Sequence, residues 1–194
     1  MSNDGVNKTR RNLIALTTVV GAGGAVGVAV PFVGSWQPSA RAKAAGAPVK
    51  VNISKIEPGQ MITVEWRGKP VFILRRTADV LANIKKLDAV VADPSSAESV
   101  QPESCKNEYR SIKDEFLIVL GLCTHLGCAP KHRPEVGTVT KDWLGGFFCP
   151  CHGSMFDLAG RVFKGVPAPT NLEVPPYSYL TDAEIIIGVE EGAA

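Results

Sequence analysis

The sequence predicts an all-β protein: an antiparallel β head carried on a single N-terminal transmembrane helix. Three observations predict it. Residues Leu13 to Trp36 form an apolar or small run with no charge. From Val49 onward, short alternating β-branched segments are separated by Pro/Gly turns. Within that second half, two short boxes hold four of the five cysteines and two of the three histidines. At 194 residues the chain has room for one ordinary domain plus an appendage. Its net charge of +2, with no basic stripe interleaved with aromatics, argues against a nucleic-acid partner.

Residues 1–12 are polar, with Lys8, Arg10 and Arg11 near their end. The 24-residue run 13–36 would reach about 36 Å as a helix, against roughly 30 Å of hydrocarbon to be crossed. Gly21, Gly23, Gly24 and Gly27 are tolerated in lipid and permit close helix–helix approach. Pro31 is placed to kink or end the helix, and Trp36 sits where an interfacial aromatic belongs. The positive flank predicts a cytoplasmic N-terminus. Thr9-Arg10-Arg11-Asn12-Leu13-Ile14 also reads as a twin-arginine export signal. Such a signal suits a head that is completed in the cytoplasm and crosses folded. Ala40-Arg41-Ala42 and Ala42-Lys43-Ala44 are cleavage-like patterns, but the apolar run exceeds a usual signal core, so a retained anchor is expected. Residues 37–50 read as a linker, small and poor in large apolar groups.

In the head (51–194), strands are expected at Val49–Ile53, Met61–Trp66 and Val71–Arg75, with turns at Pro58-Gly59 and Gly68-Lys69-Pro70. Thr77 is placed to cap a helix with Val80, Leu81, Ile84 and Leu87 on one face. Asp88 to Ser111 is polar and reads as mostly loop, with Cys105 a free thiol of no assigned role. Phe116–Leu122 is a strand feeding the first box, and Gly145-Gly146-Phe147-Phe148 leads into the second. Met155–Asp157 and Arg161–Phe163 flank a turn at Leu158-Ala159-Gly160, and Leu172–Val174, Tyr177–Leu180 and Glu184–Val189 read as closing strands.

The first box is Cys123-Thr124-His125-Leu126-Gly127-Cys128 and the second Cys149-Pro150-Cys151-His152-Gly153-Ser154. Two thiolates and two imidazoles complete either a tetrahedral zinc site or a [2Fe–2S] cluster with Cys₂ on one iron and His₂ on the other. The extra cysteines, Cys128 and Cys151, fall in matching places, one per box, and a zinc site has no use for them. A persisting disulfide between them would argue for a compartment outside the cytosol. His132, between Lys131 and Arg133, reads as an exposed loop residue rather than a ligand.

Cys-Thr-His-Leu-Gly-Cys followed by Cys-Pro-Cys-His-Gly-Ser resembles the signature of Rieske iron–sulfur proteins, in the form found in quinol-oxidising cytochrome bc complexes. The similarity extends from the N-terminal anchor to about Pro175. It implies a Rieske-type antiparallel β fold with a cluster-binding part at about 117–173, and one [2Fe–2S] cluster per chain. It further implies that Cys123 and Cys149 bind one iron, that His125 and His152 bind the other, and that Cys128 and Cys151 form a disulfide. By the same resemblance His152 meets quinol, His125 is exposed beside it, Leu126 joins the apolar contact surface, and Ser154 donates its hydroxyl toward the cluster. Gly165-Val166-Pro167-Ala168-Pro169 would shield the cluster, with Val166 one residue more than the familiar Gly-Pro-Ala-Pro form. Phe156 stands where high-potential relatives often carry tyrosine.

The function so implied is that of an electron-transfer subunit of a bacterial quinol–cytochrome c oxidoreductase. It would accept one electron from ubiquinol at cytochrome b, pass it to cytochrome c₁ and contribute to proton motive force. The complex is expected to be dimeric, in the bacterial inner membrane, with the head periplasmic. The chain is one part of that enzyme and is not catalytic alone. The alternatives are a Rieske small subunit of another periplasmic oxidoreductase, such as arsenite oxidase, and a zinc-stapled module.

Overall fold

The computed structural model describes Gly5 and residues 7–190; the first four residues of the expected cytoplasmic tail, with Val6, lie outside them. The chain divides into two units, with the boundary between Ala44 and Ala45. The first unit is built on helix α1, Lys8–Ser35. Asn7 caps it, its Oδ1 accepting from the Arg10 amide at 3.1 Å. The helix therefore starts in the basic turn, ahead of the apolar run. It passes through Pro31 and ends at Ser35, so the proline does not terminate it. The Thr17 hydroxyl donates to the Leu13 and Ile14 carbonyls and the Thr18 hydroxyl to that of Ile14, so neither is left unbonded in an apolar solvent. None of its residues is buried, and Leu13, Ile14, Val19, Val20 and Phe32 are all more than half exposed. The helix is long and apolar enough to cross a membrane. Within the 37–50 stretch, Ala40–Ala45 forms a short helix α2, started by Ser39 Oγ accepting from the Ala42 amide at 3.1 Å.

Among the described residues, the second unit, the head, holds nine strands in three antiparallel three-stranded sheets. The strands are β1 (Val49–Asn52), β2 (Met61–Trp66), β3 (Lys69–Arg75), β4 (Phe116–Leu120), β5 (Lys131–Arg133), β6 (Gly146–Phe148), β7 (Met155–Phe156), β8 (Tyr177–Thr181) and β9 (Glu184–Ile187). The first sheet, β1-β9-β8, pairs the first strand of the head with the last, Val49 opposite Ile187. The second, β2-β3-β4, carries the apolar centre: Val71, Ile73, Leu117, Ile118 and Val119 are fully buried. Each buried large aliphatic here contributes roughly 1.5–3 kcal/mol to the head's stability. Its β2–β3 turn is Arg67-Gly68, both at positive φ (53° and 71°), the geometry that suits the twist of a two-residue hairpin. Lys69 and Pro70, expected in that turn, instead open β3.

The third sheet, β5-β6-β7, carries the second box on the loop after β6. Phe72 of β3 stacks on Phe147 of β6 with ring centroids 5.8 Å apart, joining the second and third sheets. At Gly121, just before the first box, any Cβ would lie 2.5 Å from the Phe72 ring, so the strand end can pass only as glycine.

Helix α3 runs Ala78–Lys86 with Thr77 as its cap, Oγ1 accepting from the Val80 amide at 3.4 Å. That bond is long, so Thr77→Ala is expected to cost about 0.5–1 kcal/mol, read as a fall in urea midpoint with unchanged slope.

Two expectations about β structure are corrected. Leu172–Val174 is not a strand. Its backbone is claimed by three different segments, Leu172 N–H donating to Gly160, Val174 N–H to Val100 and the Glu173 carbonyl accepting from Leu120, so no ladder can form. His132 is not in an exposed loop but in β5, opposite Phe147, with ring centroids 5.5 Å apart. Its flanking charges point outward by strand alternation while its ring turns in, and burial pushes its pKa down.

Candidate metal centre

Each box folds back on itself by the same two hydrogen bonds. In the first, the Cys123 amide donates to the Cys128 carbonyl (2.7 Å) and the Gly127 amide to the Cys123 carbonyl (2.8 Å). In the second, the Cys149 amide donates to the Ser154 carbonyl (2.8 Å) and the Gly153 amide to the Cys149 carbonyl (3.0 Å). Gly127 and Gly153 both sit at φ 77°, the left-handed turn that glycine adopts without steric cost. The boxes are therefore two copies of one loop, which aligns Cys123 with Cys149, His125 with Cys151, Leu126 with His152, and Cys128 with Ser154. This corrects the expectation that Cys128 and Cys151 hold matching places.

The disulfide forms all the same, Cys128 to Cys151, with Cα atoms 6.6 Å apart. It ties the two loops at their outer edge. The paired first positions, Cys123 and Cys149, are buried free thiols at the base. The His125 and His152 rings meet edge to face, 4.8 Å between centroids and 87° between planes. His152 is exposed and His125 half-buried. Leu126 is 71% exposed beside them.

Two features fit this donor set to a metal centre. His125 Nδ1 is buried with no hydrogen-bond partner, which is costly for a free imidazole and expected of a nitrogen that gives its lone pair to a metal. Burial pushes the Cys123 thiol up, and the adjoining Cys149 sulfur adds to the push. The His125 backbone N–H and the Ser154 hydroxyl pull the other way. Two buried sulfurs at the base need a cation to ionise there. Cys128, Cys149 and Cys151 have sulfurs within 4.8 Å of one another, but two of the three are spent on the disulfide.

The Gly165–Thr170 stretch is bonded to both boxes. Ser154, fully buried, accepts from the Ala168 amide at 3.1 Å, and Thr124 Oγ1 donates to the Thr170 carbonyl at 2.7 Å. Val166, the additional residue, is half-buried against the core. Thr124 was not legible as a brace, since nothing in a lone threonine says which carbonyl it will meet. Directly after β7, the turn Asp157–Arg161 gathers three buried arginines. Asp157 accepts from Arg161 Nε at 2.7 Å, Arg76 donates to the Leu158 carbonyl, and Arg110 to those of Ala159 and Gly160. Burial lowers Arg76 and Arg110 to about 10, against the pull of Asp157.

Cys105 stands apart from this centre. It is fully buried, its thiol donating to Tyr177 Oη at 3.7 Å, and burial pushes its pKa up. Tyr177 in turn accepts from the Ile112 amide at 2.8 Å. The loop thiol of no role thus belongs to the packing under β8.

Residues 48–177 match the Rieske [2Fe-2S] domain family, and residues 1–39 match the family described as Ubiquitinol-cytochrome C reductase Fe-S subunit TAT signal. Among similar proteins, the ubiquinol-cytochrome c reductase iron-sulfur subunit of Allochromatium vinosum is 56% identical, covering 100% of this chain and 95% of its own length. That of Blastochloris viridis is 44% identical, over 96% of this chain and 97% of its own. A chain of a hyperthermophilic respiratory Complex III is 28% identical, covers 87% of this chain and 96% of that one, and superposes with a TM-score of 0.47.

Proposed function

This chain belongs to the Rieske iron–sulfur subunits of bacterial ubiquinol–cytochrome c reductase, and from that membership we propose that the paired-histidine edge of its head is where quinol is oxidised. The observation that carries the reading is the edge itself: two imidazoles in contact at the outer end of two matching loops, with two sulfurs buried behind them. Cys123 and Cys149 would hold one iron, and His125 and His152 the other. When bound, the [2Fe–2S] cluster supplies a one-electron acceptor whose two imidazole ligands make it neutral when oxidised rather than a dianion, placing its potential at roughly −150 to +300 mV.

The chain's own groups do the rest. The exposed His152 ring accepts the hydrogen bond of the ubiquinol hydroxyl and takes its proton. Leu126 covers the ring system of the quinol with apolar surface. The Gly165–Pro169 segment, fixed by Ser154 at Ala168 and by Thr124 at the following Thr170, keeps water from the sulfurs. Cytochrome b supplies the quinol site and cytochrome c₁ receives the electron, in a dimeric complex that contributes to proton motive force. Residues 1–12 stay cytoplasmic, 13–36 span the inner membrane, 37–50 act as the hinge, and 51–194 form the periplasmic head, with 117–173 binding the cluster. Lys8, Arg10 and Arg11 on one flank support that orientation.

The test is low-temperature EPR on membranes expressing the chain. A Rieske-type signal after ascorbate, perturbed by a quinol-site inhibitor, is expected. A signal only after dithionite would overturn quinol oxidation, and one zinc with no labile sulfide would overturn the cluster. Phe156, fully buried in β7, offers no hydroxyl to a ligand sulfur. Phe156→Tyr is therefore expected to raise the midpoint by roughly 20–60 mV, one ordinary hydrogen bond at about 59 mV per tenfold change for one electron. An unchanged or lower midpoint in a redox titration would show that the new hydroxyl finds no sulfur.

A further inference from the structure

The buried arginines carry more positive charge than their surroundings cancel. Arg76, Arg110, Arg161 and Asp157 are each at most 2% exposed. Of the three arginines, only Arg161 lies within ion-pair distance of a carboxylate among the described residues. Arg76 donates to the carbonyls of Tyr109, Asp114 and Leu158 and to the Ser111 hydroxyl, all neutral. Arg110 donates to the carbonyls of Ala159 and Gly160 and to the Gln101 side-chain oxygen, and its Nε has no partner. Asp88 and Asp114 are exposed and Asp93 is half-buried, so water screens their charge. The fully buried set is thus three cations against one anion. Burying a charge without its partner is costly, and an apolar side chain of similar volume would fill the same space. Stability alone therefore gives no reason for the excess. We propose that this buried positive charge tunes the cluster's potential, Arg76 and Arg110 favouring the reduced state from behind the ligands. The proposal rests on the reading of the two boxes as the cluster site.

The network sits where its field reaches both boxes. Asp157 follows β7 directly, three residues past Ser154, which is about 10 Å of extended chain. β7 pairs with β6, Phe156 opposite Phe147, and β6 runs into Cys149. On the other side, a Cβ at Gly160 would lie 3.1 Å from an Arg110 terminal nitrogen and 3.5 Å from the side chain of Val119. Val119 belongs to β4, the strand that feeds the first box. Phe147, Phe156 and Val119 are fully buried, so the intervening medium is apolar and weakens the field little. Both guanidiniums, lowered to about 10, stay protonated at neutral pH. A site neutral when oxidised gains one negative charge on reduction, and a fixed positive charge favours that step. At roughly 10–15 Å and an effective dielectric of about 20, one charge changes the reduction equilibrium about sixfold to fifteenfold. Nothing moves and no proton is transferred; the arginines act on the electron through space.

The experiment is a redox titration of the full-length, cluster-loaded chain in detergent, followed by low-temperature EPR. Wild type is compared with Arg110→Gln, Arg76→Gln and the exposed control Lys85→Gln. Glutamine keeps a hydrogen-bond donor and removes the charge. Each arginine variant is expected to lower the reduction equilibrium constant threefold to tenfold, a fall in midpoint of about 30–60 mV at 59 mV per tenfold for one electron. Lys85→Gln is expected to change it less than twofold. The arginine shifts should persist from about 0.05 to 1 M salt, since buried charges are screened little. The EPR line shape should stay that of wild type. An unmoved midpoint in the arginine variants overturns the proposal, as does a shift that salt abolishes or that Lys85→Gln reproduces. A shift accompanied by an altered line shape also overturns it, by reducing the arginines to props for the ligand loops. If Arg76→Gln, which loses more hydrogen bonds, does not fold, Arg110→Gln decides alone. Iron and labile-sulfide analysis separates the two readings. Wild type without either sinks the cluster reading and this proposal together, whereas a loaded wild type with unmoved variants sinks this proposal only.

Discussion

Asp157→Ala is expected to destabilise the head by about 3–5 kcal/mol, the usual cost of leaving a buried charge without its partner. Asp157 is fully buried, and it accepts from the Ala159 amide (2.9 Å), the Arg161 amide (2.8 Å) and Arg161 Nε (2.7 Å). Arg161 has no exposed side-chain surface and keeps only the half-exposed Asp88 as a second carboxylate. Burial alone would push its guanidinium down, and Asp157 with Asp88 more than reverses that. Arg76 and Arg110, at 2% and 0% exposure, lean on the same carboxylate. Removing it leaves three buried guanidiniums with mostly carbonyls for company. Against a total of about 5–15 kcal/mol for a domain, that is a large share. Urea titration of the loaded wild type and variant, at matched slope, measures it. A cost under about 1 kcal/mol would mean that the carbonyls of Ile84, Pro94 and Leu158 to Gly160 satisfy the arginines without Asp157.

Ser154→Ala is expected to lower the midpoint potential by about 60–120 mV while the cluster is retained. Its hydroxyl oxygen accepts from the Ala168 amide, which leaves its proton free to donate to the Cys123 sulfur it lies against. Extra electron density on a ligand sulfur strengthens such a bond, so the hydroxyl favours the reduced state. A hydrogen bond to a charged partner is worth about 1.5–3 kcal/mol, and about 1.4 kcal/mol corresponds to 59 mV for one electron. Protein-film voltammetry alongside the EPR line shape separates the two possible roles. A falling potential with an intact signal supports donation to sulfur. An unchanged potential with a lower melting temperature would reduce Ser154 to a bracket for the Gly165–Pro169 segment.

The strands of the second sheet were legible because β2 and β3 share a hairpin and β4 is an unbroken apolar run; Met61–Trp66 is found as expected, and so is the Thr77 cap. The cysteines and histidines were legible as a set, since few environments other than a metal centre gather them. The Cys128–Cys151 disulfide was legible too and forms as expected, but the residue-by-residue register of the two loops was not. Reading Cys128 against Cys151 follows residue type, whereas the backbone follows glycine, and Gly127 and Gly153 set the true register. β5 was missed because Lys131-His132-Arg133 is three residues long with charges at both ends, too short for alternation to show. The arginine network was missed for a related reason. Arg76, Arg110 and Arg161 look like surface residues one at a time, and only the fold brings them to one carboxylate.

The pairing of β1 with β9 sets an order of events. β1 is among the first parts of the head to leave the ribosome, and Glu184–Ile187 among the last. Both boxes and their backbone turns are synthesised in between. The first sheet therefore cannot close during translation, and β1 stays unpaired while the apolar α1 ahead of it is already available. A nascent chain stopped anywhere short of Glu184 would carry an open strand edge and a hydrophobic segment on one chain, a species prone to aggregation and proteolysis. Because β9 is the last of the described strands, closure of the first sheet marks a head that holds all of them.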